Sequence, residues 1–132
     1  MKHLIVTAAV SFAILTAPSL AFGQGRGPGP GVAAGEKVFK RCVACHTVEQ
    51  GGRNKVGPNL WNIFGSTAGQ RDIGYKYSEA MTGSGIVWDD ATMAAYLENP
   101  RKFLPKTRMA FPGLKKADQR DDVIAYMKSV TQ

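Results

Sequence analysis

Cys42-Val43-Ala44-Cys45-His46 holds both cysteines of a 132-residue chain and one of its two histidines. C-x-x-C-H is the attachment pattern of c-type haem, in which each thiol adds to a vinyl group and the adjacent imidazole ligates iron from one face. The spacing follows from that chemistry. A helical turn sets the two sulfurs along one haem edge and swings the imidazole under the ring. Three other readings use the same residues. A disulfide suits an exported protein, but a two-residue loop closes too little chain to stabilise much. A thioredoxin-like dithiol belongs at a helix start in a strand-rich fold, and no strand pattern lies nearby. A structural zinc needs four ligands, and Cys42, Cys45 and His46 supply three.

The chain opens with the features of an export signal. Lys2 and His3 form a short basic start, Leu4 to Ala17 is almost unbroken apolar sequence, and Ser19-Leu20-Ala21 offers small residues for cleavage after 21 or 23. The apolar run is shorter than the ~20 residues of a spanning helix. Residues 1–21 are therefore expected to be a signal peptide and residues 22–31, rich in Gly and Pro, a flexible leader. Residues 32–132 remain as one domain, on the order of 100 residues, a size at which a single core is feasible but thin. A bulky apolar cofactor would help such a chain close. Loss of the signal removes His3 and leaves His46 as the only histidine.

The formal net charge is +7, and removal of Lys2 lowers it by one. A basic surface favours acidic partners and speeds encounter with them. Nucleic acid is a poor fit, because the basic residues form no single run and no recognised nucleic-acid motif is present. Lys40, Arg41, Arg53, Lys55, Arg101, Lys102, Lys106, Arg108, Lys115 and Lys116 instead gather around the haem motif and a later proline-flanked loop.

With His46 on one side of an iron, the opposite axial position is either open or filled, and this separates an electron carrier from a gas binder or a peroxidase. Methionine sulfur is the natural candidate for filling it. Met93 lies in a helix expected over Asp89 to Asn99, capped by Asp89 and facing the core with Tyr96 and Leu97. Met127 shares a stripe with Val123, Ile124 and Val130 in a last helix over roughly Asp118 to Val130. Both read as packing, the commoner use of a flexible thioether. Met81 follows a plausible single turn at Ser78-Glu79-Ala80 and stays in competition. Met109 lies in Leu104-Pro105-Lys106-Thr107-Arg108-Met109-Ala110-Phe111-Pro112-Gly113, where no periodicity accounts for it and two prolines restrict the loop. It is the expected sixth ligand.

The chain resembles the mitochondrial-type class I cytochromes c and their exported bacterial relatives over nearly all of the mature sequence. The likeness runs in order through Gly35-Glu36-Lys37-Val38-Phe39, the haem motif, Val56-Gly57-Pro58-Asn59-Leu60, Ile63-Phe64-Gly65, Trp88, Tyr96-Leu97-Glu98-Asn99-Pro100, Met109 and Ile124-Ala125-Tyr126. The resemblance implies an all-α fold in which a first helix, from about Val32, crosses the last near Gly35, Phe39 and Tyr126 around one haem c held by Cys42 and Cys45. It implies that the Pro58 carbonyl accepts a hydrogen bond from His46, strengthening the ring as a donor to iron. It places Tyr77 and Trp88 at a haem propionate, and Tyr96 and Thr107 beside the Met109 sulfur. Three positions depart from the pattern. Ser66 stands where an arginine commonly follows Phe-Gly, with Arg71 a candidate to compensate. The stretch Gln70 to Tyr77 is one residue longer, and Met81 replaces a frequent asparagine.

The function implied is that of a soluble single-haem electron carrier, working as a monomer in a periplasm between donor and acceptor proteins that present acidic patches, with transient contact with membrane redox complexes. No further histidine or evident acid/base pair suggests an enzyme. Two other classes stay in play: an open-site haem protein, and a haem-free thiol–disulfide protein.

Overall fold

A computed structural model describes residues 30–132. The proposed signal peptide and nearly all of the leader lie outside the described residues. Five helices follow in order: α1 Pro30–Phe39, α2 Glu79–Thr82, α3 Asp90–Glu98, α4 Pro100–Phe103 and α5 Ala117–Val130. Among the described residues the only β pairing is an isolated antiparallel bridge between Thr67 and Val87.

α1 begins two residues before the expected start at Val32. Proline suits a first helical position, because its missing N–H would have no partner there and its φ is already helical. The helix ends at Phe39, but the chain keeps turning: Cys42 N donates to Phe39 O, and both Cys45 N and His46 N donate to Cys42 O. The haem motif is thus delivered on a turn directly continuing α1.

Asp89 caps α3 through a reciprocal box, its carboxylate accepting from Thr92 N at 2.7 Å while Thr92 Oγ1 accepts from Asp89 N at 2.9 Å. The same Thr92 hydrogen bonds are the main cause that holds the Asp89 carboxyl below its usual range, with burial acting weakly the other way. α3 buries Met93, Tyr96 and Leu97 on one face, and α5 buries Val123, Ile124 and Met127. Met93 and Met127 are therefore packing residues, as their periodicity indicated. Asn99 does more than end α3. Its side chain accepts from Lys102 N and caps α4, with Pro100 at that helix's first turn.

α1 and α5 make the principal helix–helix contact. They can approach closely because Gly35 has no side chain: a β-carbon there would lie 1.9 Å from Asp122 O and 2.8 Å from Tyr126 Cβ. Beside this crossing the Phe39 and Tyr126 rings stack at 5.3 Å. The contact joins the two ends of the domain and so fixes the turn that carries the cysteines. Gly35→Ala is expected to cost about 3 kcal/mol or more, because the clash is with main chain that cannot swing away. Denaturant unfolding measures this, and a cost under about 1 kcal/mol would contradict the direct main-chain contact.

Candidate cofactor site

Cys42 and Cys45 are free, half-buried thiols. Burial pushes the Cys42 thiol up to about 11, Arg41 offsetting part of this and Cys45 adding to it. A thiol–disulfide exchanger needs the opposite, a thiol whose pKa is lowered so that thiolate is present near neutrality. His46 is half-buried, and burial favours its neutral form; the Pro58 carbonyl acts the other way, and Lys55 adds to the lowering. His46 Nδ1 lies 2.7 Å from Pro58 O. A carbonyl can only accept, so Nδ1 carries the proton and the Nε2 lone pair is free for a metal. Gly57 lies against the ring, where a β-carbon would sit 2.4 Å from Cε1.

Pro58 belongs to a loop stitched by side chains. The buried Asn59 donates to Thr47 Oγ1 at 2.7 Å and to Glu49 O at 3.0 Å, and its oxygen accepts from Trp61 N at 3.0 Å. Asn54 accepts from Asn59 N at 2.9 Å. These residues carry no chemistry of their own, and only their clustering after the haem motif could have drawn attention to them.

Met109 is half-buried against the hydrophobic core in the irregular stretch between α4 and α5. Thr107 N donates to Leu104 O at 3.1 Å, closing a turn through Pro105 and Lys106, and Lys106 has φ +67°. Beyond the turn, Tyr96 Oη and Thr107 Oγ1 are 2.9 Å apart, and Met109 N donates to Thr107 Oγ1 at 3.4 Å. Tyr96 and Thr107 thus meet the main chain of Met109. Arg41, next to the cysteines, stacks its guanidinium 5.5 Å from the Phe111 ring centre and ties the haem motif to this loop. Met81 is half-buried at the third residue of α2, the short EAMT segment.

Trp88 is buried, with its ring 5.1 Å from that of Tyr96. Tyr77 Oη is buried without a hydrogen-bond partner among the described residues. Burial raises the Tyr77 pKa, and the neighbouring Arg71 cation pulls it partly back, although the Arg71 N–H groups are directed at the carbonyls of Asn59 and Trp61. An orphaned hydroxyl costs stability unless a further group meets it. Ser66 turns its own hydroxyl onto Ile63 O at 2.6 Å, so Arg71 is the cation beside Tyr77. A neutral Cys42 thiol, an imidazole with one free nitrogen and an unpartnered buried hydroxyl fit a large apolar ring bearing metal and carboxylates.

Residues 32–131 match the family model described as cytochrome c. Cytochrome c of Kluyveromyces lactis is 51% identical over 94 residues, covering 70% of this chain and 84% of that protein. Cytochrome c2 of Afifella marina is 48% identical over 101 residues, covering 74% and 81% respectively. Among solved structures, cytochrome cH from Methylobacterium extorquens superposes with a TM-score of 0.70 at 44% identity, covering 74% of this chain and 97% of that one.

The positive φ at Lys106 gives a test of the Met109 loop. A β-carbon in the left-handed region costs roughly 1–2 kcal/mol, part of which glycine's freedom in the unfolded chain cancels. Lys106→Gly should therefore stabilise the protein by about 0.5–1 kcal/mol, whereas Lys106→Ala, which keeps the β-carbon, should not. Equal thermal midpoints for the two variants would contradict the turn.

Proposed function

Because this chain belongs to the cytochrome c family, we propose that it passes single electrons between larger redox proteins with its iron held by His46 on one side and Met109 on the other. One haem c, attached through Cys42 and Cys45, is the family's cofactor, and electron carriage is its function. The observation that carries the ligand assignment is the 2.7 Å contact between His46 Nδ1 and Pro58 O, which leaves Nε2 unprotonated and orients the ring. When bound, the haem supplies an iron that takes up and gives back one electron.

The residues of this chain do the rest. Pro58 holds the His46 proton on Nδ1 and makes the ring a stronger donor. Tyr96, through Thr107, restrains the loop that bears Met109. Trp88, Leu97 and Ile63 exclude water from the interior. Tyr77 and Arg71 offer a hydroxyl and a cation to a carboxylate, and by the family likeness Trp88 meets the same group. A carrier works fast when neither oxidation state demands rearrangement, and a site braced from both sides serves that need. The match to cytochromes c and c2, which are electron carriers, supports a carrier over an enzyme.

The mature protein is proposed to be periplasmic, on the strength of the basic start, the apolar run and the small residues at 19–21. Its partners are read as proteins with acidic patches near their own redox centres. Several of the basic residues around the site already have structural work: Lys55 Nζ donates to Val43 O at 2.7 Å and Lys115 Nζ to Glu98 O at 2.8 Å. Lys102 and Lys106 are exposed, and the ion pair among the described residues, Lys128–Asp90, involves neither. They are therefore the cleaner candidates for steering.

Two outcomes are expected. Alkaline pyridine should give a haemochrome spectrum, with the colour remaining on the polypeptide in acid acetone; a colourless product with two titratable thiols would contradict haem attachment. Charge reversal of both Lys102 and Lys106 should slow association with the physiological oxidase or reductase by roughly tenfold at low salt, with the difference fading as screening increases. A rate unchanged at low salt would exclude steering by this pair.

A further inference from the structure

Pro58 presents a mechanical problem. It has no N–H of its own, and its carbonyl is engaged by His46, so its position must be set by neighbours. Those neighbours are held by one segment far along the chain. Arg71 donates to Asn59 O at 2.6 Å and also to Trp61 O. Ile73 O accepts from Asn54 Nδ2 at 2.6 Å. Tyr75 Oη donates to Val56 O at 2.8 Å. Residues 54, 56, 59 and 61 bracket Pro58 on both sides, and each is tied to a position between 71 and 75. The next residue anchors the segment on the opposite side: Lys76 O accepts from the Arg108 guanidinium, one residue before Met109.

We propose that residues 71–76 form a clasp, with Arg71 its principal positioning residue, that sets the His46–Pro58 hydrogen bond and thereby the electron-donating strength of the imidazole; this rests on His46 being the iron ligand. Arg71 suits the task for a physical reason. Its planar fork can engage two carbonyls two residues apart at once, which an ammonium cannot reproduce. Two carbonyl acceptors fix the fork in place while its charge stays beside Tyr77. A residue that held the loop by packing alone would not constrain the direction of the Pro58 carbonyl.

The sign of the effect follows from the bond. A firm hydrogen bond to Pro58 gives His46 anionic character and favours oxidised iron. Loosening the clasp weakens that bond, so the midpoint potential should rise. Loss of a nearby positive charge would move the potential the other way, which makes Arg71→Lys the informative variant because it keeps the charge and removes the fork. Tyr75→Phe removes one neutral tether and leaves the ring, and it guards against Arg71→Lys failing to fold. Arg120→Lys is the control, since Arg120 also reaches two carbonyls, Leu114 O and Lys115 O, both from Nη1 and away from the site.

The experiment uses the haem-loaded protein and reads three quantities: the midpoint potential, the solvent-exchange rate of the His46 Nδ1 proton by NMR, and the thioether–iron absorption band of the oxidised form. Arg71→Lys and Tyr75→Phe should each raise the potential and speed exchange of the Nδ1 proton severalfold, while the absorption band persists. Arg120→Lys should lower thermal stability and leave potential and exchange unchanged. The clasp is overturned if both variants lose stability without moving potential or exchange, which is what a merely structural segment would do. A wild-type protein with His46 ligated but its Nδ1 proton unprotected would overturn the clasp alone, whereas one in which His46 does not ligate iron would overturn the clasp together with the ligand assignment.

Discussion

The hydrogen bond from His46 Nδ1 to the Pro58 carbonyl is the contact on which the site depends. An imidazole bound to iron must present one nitrogen with a lone pair and hold its plane steady, and both requirements are met by fixing the proton on the other nitrogen. Burial of the ring acts in the same direction, because it disfavours the doubly protonated form that could not bind metal. Gly57 completes the arrangement by leaving space for the ring where any side chain would collide with it.

That contact can exist only if two distant pieces of chain are brought together. One is the turn after α1, placed by the crossing of α1 and α5 at Gly35. The other is the loop from Thr47 to Trp61, which has little regular structure and relies on Asn54, Asn59 and the segment from Arg71 to Tyr75. Long irregular segments are normally the weaker parts of a fold. Here the polar side chains bond main-chain atoms of other turns and give the loop a definite shape. The core behind them is small, with α3 and α5 contributing half of its buried apolar residues. A covalently attached ring adds apolar contact area to such a core, and the thioether links prevent its loss.

The parts of this structure with a local signature could be read from the sequence. The haem motif is five consecutive residues. The faces of α3 and α5 follow helical spacing, and Asp89 announces its helix with Thr92 three residues on. Met109 is singled out because nothing periodic explains it, and the fold bonds its main chain to Thr107, which meets Tyr96. The unreadable parts are long-range bonds between side chain and main chain. Nothing in the neighbourhood of Arg71, Asn54 or Tyr75 says which carbonyl each will find, because those partners lie 10 to 19 residues away in loops without a repeat. Asn99 was legible as the end of one helix but not as the cap of the next, since Pro100 both stops α3 and starts α4. The substitution of Ser66 for arginine was visible, yet only the fold shows that Ser66 bonds its own turn while Arg71 stands beside Tyr77.

Axial ligation from both faces of the ring is tested most directly by proton NMR of the reduced, haem-loaded protein with labelled methionine methyl groups. A methyl bound above a porphyrin plane is shifted far upfield by the ring current. One such resonance is expected, and it should disappear in Met109→Leu while those of Met81, Met93 and Met127 stay in the ordinary methyl region. Four unshifted methyl resonances, or an upfield resonance belonging to Met81, would contradict the assignment of the sulfur ligand.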